Sequence, residues 1–264
     1  FAAFLDNIPH NLEIFRQCGI AMEDSGDEIL VHGKGLRGLI HPGDALYVGN
    51  SGTGIRLLLG VFSGQDMTVV LNGDESICQR PMKRIINPLR DMGAQLQTLD
   101  KDGQWRETEA VELTPPIRVV GHSELNGIRY AMPMSSAQVK SALLFAGFYA
   151  NSETTVVDPG QSRNHTEVMM KQFGVNCYSR DHEVTLIPPV RLRSPGKLVV
   201  PGDISSAAFW MVLGCILKDC EFRLINVGLN ATRTGIIDVL KKMNARLQII
   251  PRKITEGEPC GDII

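Results

Sequence analysis

Three cationic side chains surround a proline within five residues of this chain. Arg80, Lys83 and Arg84 flank Pro81 in "GDESICQRPMKR", and proline is favoured in the first turn of a helix, where its missing N–H costs nothing. The sequence therefore predicts a helix that starts at Arg80. Because a helix amino terminus already carries partial positive charge, cations crowded there indicate an anionic ligand. Pairing with the acidic residues 74–75, or plain solvation, would also explain them.

A glycine-rich loop leads into a second predicted helix. In "GNSGTGIRL", Gly49, Gly52 and Gly54 let backbone N–H groups approach an anion, and Arg56 follows one turn later. The loop has neither the Gly-Lys-Ser/Thr ending of a Walker loop nor the G-x-G-x-x-G spacing of a dinucleotide site. Taken alone, a tight turn explains it equally well.

Polar residues also begin a third helix, "MSSAQVKSA". Ser135 and Ser136 can cap this helix, or their hydroxyls can hold a phosphate, and Gln138 supplies an amide that can reach a ligand. Capping alone explains such serines in most proteins. Lys140 could follow the serines towards an anion or stay in solvent.

A fourth helix start, "SRNHTEV", repeats the arrangement. Ser162, Arg163, Asn164 and His165 precede the helix, and for His165 we prefer a helix-cap hydrogen bond to a catalytic role. Any one of these helix starts could be structural. Together they predict a ligand with more than one anionic group.

Composition limits the partners that the chain can have. The 264 residues carry a formal charge of −2, which gives no general attraction to nucleic acid, and no apolar run approaches the ~20 residues of a membrane span. The six cysteines include no C-x-x-C pair, and no histidine near them has ligand spacing, so we expect no metal. Reduced thiols in a cytoplasm are the simplest interpretation.

Two kinds of helix alternate along the sequence. One kind ends at a small residue before a strand, and these breaks recur at intervals of 74, 81 and 70 residues, at Gly19, Gly93, Gly174 and Asn244. The other kind begins with small polar residues, at Ser51, Ser136 and Ser205. Strand-like runs such as "MTVVLNGD", "TTVVDPG" and "EFRLINVG" lie between them. The chain is thus predicted to be an α/β protein built from repeated units.

The repeat count also predicts the domains. The helix that ends at Gly19 should follow a small-polar helix that the chain does not contain. Proline and glycine concentrate in "IPPVRLRSPGKLVVPGD", a composition typical of a domain crossing. We therefore predict a three-repeat domain lacking its first helix over residues 1–200, and the first unit of a truncated second domain over residues 201–264.

The motifs together resemble a known family. "GNSGT--R", "GDESI--RPMKR--NPL--MGA", "SSAQVKSALL-AG", "SR-HTE", "VPGDISSAAF" and "GLN-TRTGIIDVL" are similar to the 5-enolpyruvylshikimate-3-phosphate synthases, the carboxyvinyl transferases of the shikimate pathway. The resemblance covers essentially the whole chain and indicates truncation at both ends. It implies two domains of three βαβαββ repeats, of the inside-out α/β barrel type, in a cytoplasmic monomer without metal or organic cofactor.

The resemblance also implies substrates and the residues that hold them. Phosphoenolpyruvate would lie at Asn50, Gly52, Arg80 and Gln138, with Thr53 shaping the loop. Shikimate 3-phosphate would lie at Ser135, Ser136, Ala137, Gln138 and Arg163. Arg56, Lys83 and Arg84 would add to the local field, and glyphosate, a phosphoenolpyruvate mimic, would be a possible inhibitor.

Departures from the family pattern decide what the chain alone can do. The family's amino-terminal Lys-Ser-x-x-x-Arg helix is absent, as is the carboxyl-terminal portion with the groups proposed for proton transfer. No catalytic residue is therefore assigned, and we expect an inactive fragment. A non-catalytic anion-binding module is one alternative. A UDP-N-acetylglucosamine carboxyvinyl transferase is another, but its reactive cysteine would stand where this chain has Glu75, and Cys78 is three residues out of register.

Overall fold

The computed structural model describes residues 8–107, 113–121, 124–189, 191–252 and 257–264, so that residues 4–7 of the first repeat lie outside the described residues. Helices and strands alternate along these ranges. The helices are α1 Ile8–Gln17, α2 Gly52–Ser63, α3 Glu75–Cys78, α4 Lys83–Asp91, α5 Ala137–Gly147, α6 His165–Gln172, α7 Ile204–Ile216 and α8 Gly235–Lys242. The strands are β1 Ala21–Asp24, β2 Ile29–His32, β3 Leu46–Tyr47, β4 Val69–Asn72, β5 Gln95–Leu99, β6 Trp105–Arg106, β7 Ile117–Val120, β8 Arg129–Ala131, β9 Thr154–Val157, β10 Cys177–Arg180, β11 Glu183–Leu186, β12 Leu224–Gly228, β13 Ile249–Pro251 and β14 Cys260–Ile263.

Contacts along the chain separate two units. The larger unit is the described part of residues 3–160 and 175–192, and the smaller unit is the described part of residues 161–174 and 193–264. Segment 161–174, which contains α6, thus groups with the carboxyl-terminal part of the chain. The single domain boundary at residue 201 stays a prediction.

The larger unit contains a hairpin and two mixed sheets among its described residues. Strands β1 and β2 form the hairpin, five strands follow the order β3-β4-β7-β5-β6, and four follow the order β10-β11-β9-β8. The pairs β3–β4 and β8–β9 are parallel, as expected when a helix connects neighbouring strands. Residues on β4, β7 and β9 alternate between buried and half-buried positions, so that one face of each strand is turned to the core.

Helices α2 and α5 pack directly against each other in the larger unit. A Cβ placed on Gly60 of α2 would lie 2.1 Å from the carbonyl oxygen of Ala142 on α5, so the two backbones come closer than any side chain would allow. Apolar residues of both helices are buried around this contact, including Ile55, Leu59 and Leu143. This contact brings the helices of the small-polar kind together.

The small-residue breaks occur where the sequence predicts them. Gly19, Gly93, Gly174 and Asn244 each stand two residues after the last residue of a helix, with φ values of +82°, +97°, +72° and +64°. After α4, for example, the N–H of Gly93 donates to Arg90 O and that of Ala94 donates to Leu89 O. These are the two bonds of a Schellman cap, which needs a left-handed residue. The prediction of repeated helix ends is confirmed.

Two predicted helix starts are wrong, one by three residues and the other by one residue. No helix begins at Arg80: α4 starts at Lys83, because a residue before proline is biased away from helical geometry and the Met82 N–H donates to the carbonyl of Leu113 at 2.7 Å. Helix α7 starts at Ile204, before Ser205, because the Asp203 carboxylate accepts the N–H of Ser206 and caps the helix.

In the smaller unit, one sheet packs with helices α7 and α8 around a core of its own. The sheet order is β12-β14-β13, and Met211 of α7 and Ile237 of α8 are among the residues buried in this core. Asp262 of β14 fixes an irregularity in β12 by accepting the N–H of Asn226, whose φ is +53°. Its carboxylate also accepts from Arg252 at 2.9 Å.

Neither a membrane-spanning helix nor a metal-binding cluster occurs within the described ranges. No helix there is long and apolar enough to cross a bilayer. No three His, Cys, Asp or Glu side chains of those ranges are grouped so that they could hold a metal ion. The cysteines are free thiols, and Cys78 donates to the side-chain oxygen of Asn72 at 3.1 Å.

Candidate functional site

The glycine-rich loop is held by side-chain hydrogen bonds at the start of α2. Ser51 caps the helix by accepting the N–H of Gly54 at 2.9 Å, and Gly49 takes a φ of +60°. The N–H of Gly52 donates to the carbonyl of Asn50 at 3.1 Å, which closes a three-residue turn. The loop is thus a tight turn that its own hydrogen bonds hold in place.

Asn50 links this loop to the segment that carries Arg80. Its side-chain nitrogen donates to Asp74 at 2.9 Å, and its oxygen accepts from Nη2 of Arg80 at 3.1 Å. Asp74 also caps α3 by accepting the N–H of Ile77 at 2.9 Å. Both oxygens of the Asp74 carboxylate are therefore engaged by neutral donors.

Arg80 lies in the bend between α3 and α4, next to Gly52. A Cβ at Gly52 would lie 2.5 Å from Nη1 of Arg80, so the guanidinium occupies space that only glycine leaves open. Besides Asn50, Arg80 donates to the hydroxyl of Ser76 at 3.4 Å. Within the described part of the chain, no carboxylate forms an ion pair with Arg80, Lys83 or Arg84, so pairing with residues 74–75 is not observed.

Arg56 and Gln138 join the loop to the start of α5. Nη1 of Arg56 donates to Oε1 of Gln138 at 2.8 Å, and Nε2 of Gln138 donates to the Thr53 hydroxyl at 2.7 Å. Burial lowers the pKa of Arg56, and the nearby charges of Arg80 and Arg84 lower it further. The two smaller contributions show that the guanidinium groups of Arg80 and Arg84 are close to that of Arg56.

The residues just before Gln138 have local roles at the start of α5. Ser136 is the cap residue, and its hydroxyl accepts the N–H of Val139 at 3.4 Å, a long and therefore weak bond. Ser135 is exposed, and a Cβ placed on Gly160 would lie 2.4 Å from its hydroxyl oxygen. Ala137 is the first residue of the helix. Ser135 is therefore an exposed residue next to the amino end of α5, with its hydroxyl oxygen beside Gly160.

Lys140 takes neither of the positions that the sequence suggested. Its Nζ lies 3.5 Å from the carboxylate of Asp158, and both side chains are only 3% exposed. The ammonium group is therefore part of a buried ion pair one turn into α5. A buried charge needs a partner of opposite sign, which the sequence position alone does not reveal.

Arg163 belongs to the smaller unit and lines a cavity of about 70 Å³ there. Burial lowers the pKa of Arg163 and so does the charge of Arg233, while Asp203 opposes this change. Asp203 lies 3.7 Å from Arg233 and caps α7. His165 lines the same cavity.

His165 is held by residues that the sequence analysis did not single out. Its Nδ1 lies 2.9 Å from Oε1 of Glu258, which also accepts from the amide of Asn230. Asn230 in turn donates to Asn164 at 2.7 Å. Arg233, Glu258 and Asn230 are thus the site residues that sequence reasoning missed, and the charged residue within the "TRTG" motif was the available signal for the first.

Of the predicted ligand residues, one group is close together in the larger unit. A direct hydrogen bond joins Asn50 to Arg80, and Gly52 closely approaches Arg80. Gln138 is joined to the same loop through Arg56 and Thr53, so the starts of α2 and α5 contribute to one cluster. Ser136 and Ala137 immediately precede Gln138. Arg163 has its own neighbours in the smaller unit. The larger unit therefore contains a cluster of arginines and amides next to two helix amino termini.

A family model matches most of the chain. It is described as EPSP synthase (3-phosphoshikimate 1-carboxyvinyltransferase) and matches residues 4–261. Among curated proteins, the 3-phosphoshikimate 1-carboxyvinyltransferase of Shouchella clausii is 47% identical over 258 residues, with 98% of this chain and 57% of the relative covered. The 3-phosphoshikimate 1-carboxyvinyltransferase of Bacillus subtilis strain 168 is 45% identical over 253 residues, with 96% of this chain and 56% of the relative covered.

Solved structures give the same relationship. An EPSP synthase from Acinetobacter baumannii superposes with a TM-score of 0.85 at 43% identity, and the match covers 97% of this chain and 55% of that one. The chain therefore spans a little more than half the length of these relatives. The structural likeness confirms the predicted α/β enolpyruvyl transferase fold, and with the family match it shows that this chain belongs to the EPSP synthase family.

Proposed function

We propose that this chain supplies part of the substrate site for carboxyvinyl transfer from phosphoenolpyruvate to the 5-hydroxyl of shikimate 3-phosphate. Asn50, Gly52, Arg80 and Gln138 hold phosphoenolpyruvate. The phosphorylated acceptor contacts the start of α5 through Ser135, Ser136, Ala137 and Gln138. A contact with Arg163, which belongs to the smaller unit, stays a prediction from the sequence motif. Family membership supports the reaction and its two substrates, because the matched relatives are 3-phosphoshikimate 1-carboxyvinyltransferases.

The observation that carries this proposal is the uncompensated positive charge at Arg80. Arg80 and Arg84 lie close enough to Arg56 for their charges to lower its pKa, in addition to the larger effect of burial, and no described carboxylate forms an ion pair with Arg80 or Arg84. The nearest acid along the sequence, Asp74, is engaged by Asn50 and by the N–H of Ile77. A ligand phosphate or carboxylate would relieve the repulsion, and each well-placed charged hydrogen bond contributes roughly 1.5–3 kcal/mol.

The proposed reaction requires several electron and proton movements. The methylene carbon of phosphoenolpyruvate takes up a proton, and the 5-oxygen of the acceptor forms a bond to the adjacent carbon while losing its own proton. The tetrahedral intermediate then loses phosphate and a methyl proton, which restores the vinyl group. The residues named here bind and orient the two anions, and none of them is assigned a proton-transfer step.

We propose further that this chain by itself binds the anions without turnover. The chain spans about 56% of its Bacillus subtilis relative, and by family resemblance the proton-transfer groups belong to the remaining part. The complete enzyme would be a cytoplasmic monomer that glyphosate inhibits by competing with phosphoenolpyruvate at Arg80. In this proposal, anion binding without catalysis is the role of this chain by itself, and catalysis belongs to the complete enzyme.

Calorimetric titration tests the binding site. Phosphoenolpyruvate is titrated into the chain with and without shikimate 3-phosphate, and Arg80→Gln is compared with Arg180→Gln, which alters an exposed arginine on β10. We expect affinity to fall roughly ten- to a hundredfold for the first variant, from loss of one charged hydrogen bond, and to stay unchanged for the second. Equal affinities in the two variants would refute the assignment of Arg80.

Two further measurements separate the reaction from its alternatives. Phosphate release by the chain alone should not exceed background, and robust turnover would show that the missing length is dispensable. Shikimate 3-phosphate should bind in competition experiments, whereas UDP-N-acetylglucosamine should not. Binding of the nucleotide sugar in its place would favour the other carboxyvinyl transferase.

A further inference from the structure

A cavity of about 300 Å³ lies against the five-stranded sheet of the larger unit. It is lined by the loop that precedes β3 and by residues of β4, β6 and β7. The anion-binding loop, in contrast, follows β3. None of the described residues that line this cavity belongs to the cluster around Arg80. We call it the outer-sheet cavity, and its function is not explained by the anion site.

Strand register places Arg118 and Trp105 on the same face of the sheet. Arg118 of β7 stands opposite Gln97 of β5 and, on its other side, opposite Val70 of β4. Trp105 of β6 stands opposite Leu99, two residues after Gln97 on β5. Alternate residues of a strand share a face, and the residues on either side of Arg118 are buried in the core. Arg118 and Trp105 therefore lie on the outer face, where the cavity is.

The guanidinium of Arg118 has a defined position and no partner for its charge. Its Cζ lies over the Trp105 ring, 5.9 Å from the ring centre, and this cation–π contact restrains the arginine without neutralising it. Among the residues that the structure describes, none forms an ion pair or a side-chain hydrogen bond with the guanidinium. A half-buried guanidinium with free N–H groups fits a carboxylate, which can accept two of them at once.

The loop before β3 brings a negative charge to the same cavity. Asp44 is exposed, and its carboxylate pairs with no cation within the described ranges, Arg118 included. The N–H of Gly43 donates to Nδ1 of His41 at 3.0 Å, so the proton of the neutral imidazole is on Nε2. His41 thus adds a hydrogen-bond donor to a cavity that contains one free cation and one free carboxylate among its described residues.

We propose that the outer-sheet cavity binds a small zwitterionic amino acid with an apolar side chain. Arg118 donates to the ligand carboxylate, Asp44 accepts from the ligand ammonium group, and the apolar side chain lies against Val70 and Ala45. A ligand with both charges satisfies both residues, whereas a simple anion is repelled by Asp44 and a simple amine by Arg118. The cavity volume is at the lower end for ligand pockets, which selects a small molecule.

Calorimetric titration with L-leucine tests the proposal in the Trp210→Phe variant, in which Trp105 is the remaining tryptophan. Trp105 emission is recorded over the same concentrations, because the ligand would bind the guanidinium that covers this ring. Two analogues each lack one charge: 4-methylpentanoate has no ammonium group, and 3-methylbutylamine has no carboxylate. Arg118→Gln and Asp44→Asn are compared with Arg180→Gln, which alters an exposed arginine on β10.

We expect L-leucine to bind one-to-one and to change the Trp105 emission. Arg118→Gln and Asp44→Asn should each weaken binding at least about tenfold, and so should removal of either charge from the ligand, because each change removes a charge-assisted hydrogen bond. Arg180→Gln should leave the affinity unchanged. Circular dichroism checks that the variants are folded, and Asp44→Asn, in an exposed loop, keeps the test valid if Arg118→Gln is not.

Three results would overturn the proposal. The first is no binding of L-leucine at about 10 mM. The second is equal affinity for 4-methylpentanoate, since the site would then recognise a carboxylate alone. The third is binding without a change in Trp105 emission, which would place the ligand elsewhere. Titration with phosphoenolpyruvate reports on the Arg80 cluster, so this proposal and the proposed function fail separately.

Discussion

Replacement of Gly52 by alanine should weaken anion binding without unfolding the protein. The added Cβ would lie 2.5 Å from Nη1 of Arg80 and 3.2 Å from Nη1 of Arg56. The first distance is shorter than carbon atoms tolerate, so the Arg80 guanidinium must move. Because it is the end of a flexible side chain, the guanidinium will be displaced and the backbone of α2 will keep its position.

The size of the effect follows from the contacts that Arg80 makes. A displaced guanidinium loses its 3.1 Å bond to Asn50, which holds it in position. Loss of one charged hydrogen bond to a ligand costs roughly 1.5–3 kcal/mol, which corresponds to a roughly ten- to hundredfold weaker affinity. Stability should change by less than about 1 kcal/mol, because alanine is also the better helix former.

The measurement is calorimetric titration with phosphoenolpyruvate, combined with thermal unfolding. Gly33→Ala provides the matched control, because a Cβ at Gly33 would have no neighbouring atom within 4 Å and its φ is not in the left-handed region. The control should retain both affinity and melting temperature. If Gly52→Ala binds as tightly as the unaltered chain, the guanidinium of Arg80 does not define the anion position and the reasoning is wrong.

Two further predictions concern buried or networked charges. Lys140→Met should lower the free energy of unfolding in urea by about 3–5 kcal/mol, because it leaves the buried Asp158 carboxylate without its ammonium partner. The double variant with Asp158→Leu should recover most of this loss. An unchanged stability of the single variant would contradict the argument. Hydrogen bonds from the Asn226 N–H, and next from Arg252, lower the pKa of Asp262 from 3.8 to about 2. A lowered pKa of a carboxyl group stabilises the folded state at pH values above the ordinary pKa of that group. The difference in unfolding free energy between the native chain and Asp262→Asn should therefore be constant near neutral pH and shrink as pH falls from about 4 to about 2. A difference that stays constant over this whole range would refute the prediction.

Local signals predicted the helix ends and strands well. Glycine or asparagine after a helix is selected by backbone sterics within a few residues, and all four predicted breaks have positive φ in the structure. The β-rich runs became β4, β9 and β12 for a similarly local reason, their alternating or branched residues. Such features need no knowledge of distant parts of the chain.

Helix starts were less predictable, because competing caps and backbone contacts with other segments decide them. Pro81 suggested a start at Arg80, yet Asp74 caps the separate helix α3 and the chain then turns before Lys83. At α7 the carboxylate of Asp203 caps the helix in place of Ser205. At α7 a nearby aspartate accepts an orphan N–H group, and sequence alone did not rank it above the serine. The start of α4 has no side-chain cap, and the preceding Met82 N–H is bonded to the carbonyl of Leu113.

The candidate site depends on contacts between residues far apart in sequence, and these were only partly predictable. Motif resemblance placed Gln138 and Arg80 near one ligand, but the bonds of Gln138 to Arg56 and Thr53 span more than eighty residues and arise from the packing of α2 against α5. The ion pair of Lys140 could not be inferred, because it depends on a carboxylate eighteen residues away, just after strand β9.

Packing also explains why the cations of the "RPMKR" segment remain available. Asp74, the acid best placed along the sequence to neutralise them, is committed to the α3 cap and to Asn50. Asn50 then returns its side-chain oxygen to Arg80, which orients the guanidinium without cancelling its charge. A carboxylate at position 50 would bind Arg80 more strongly but would neutralise it, so an amide is the side chain that positions the arginine and still leaves its charge for a ligand.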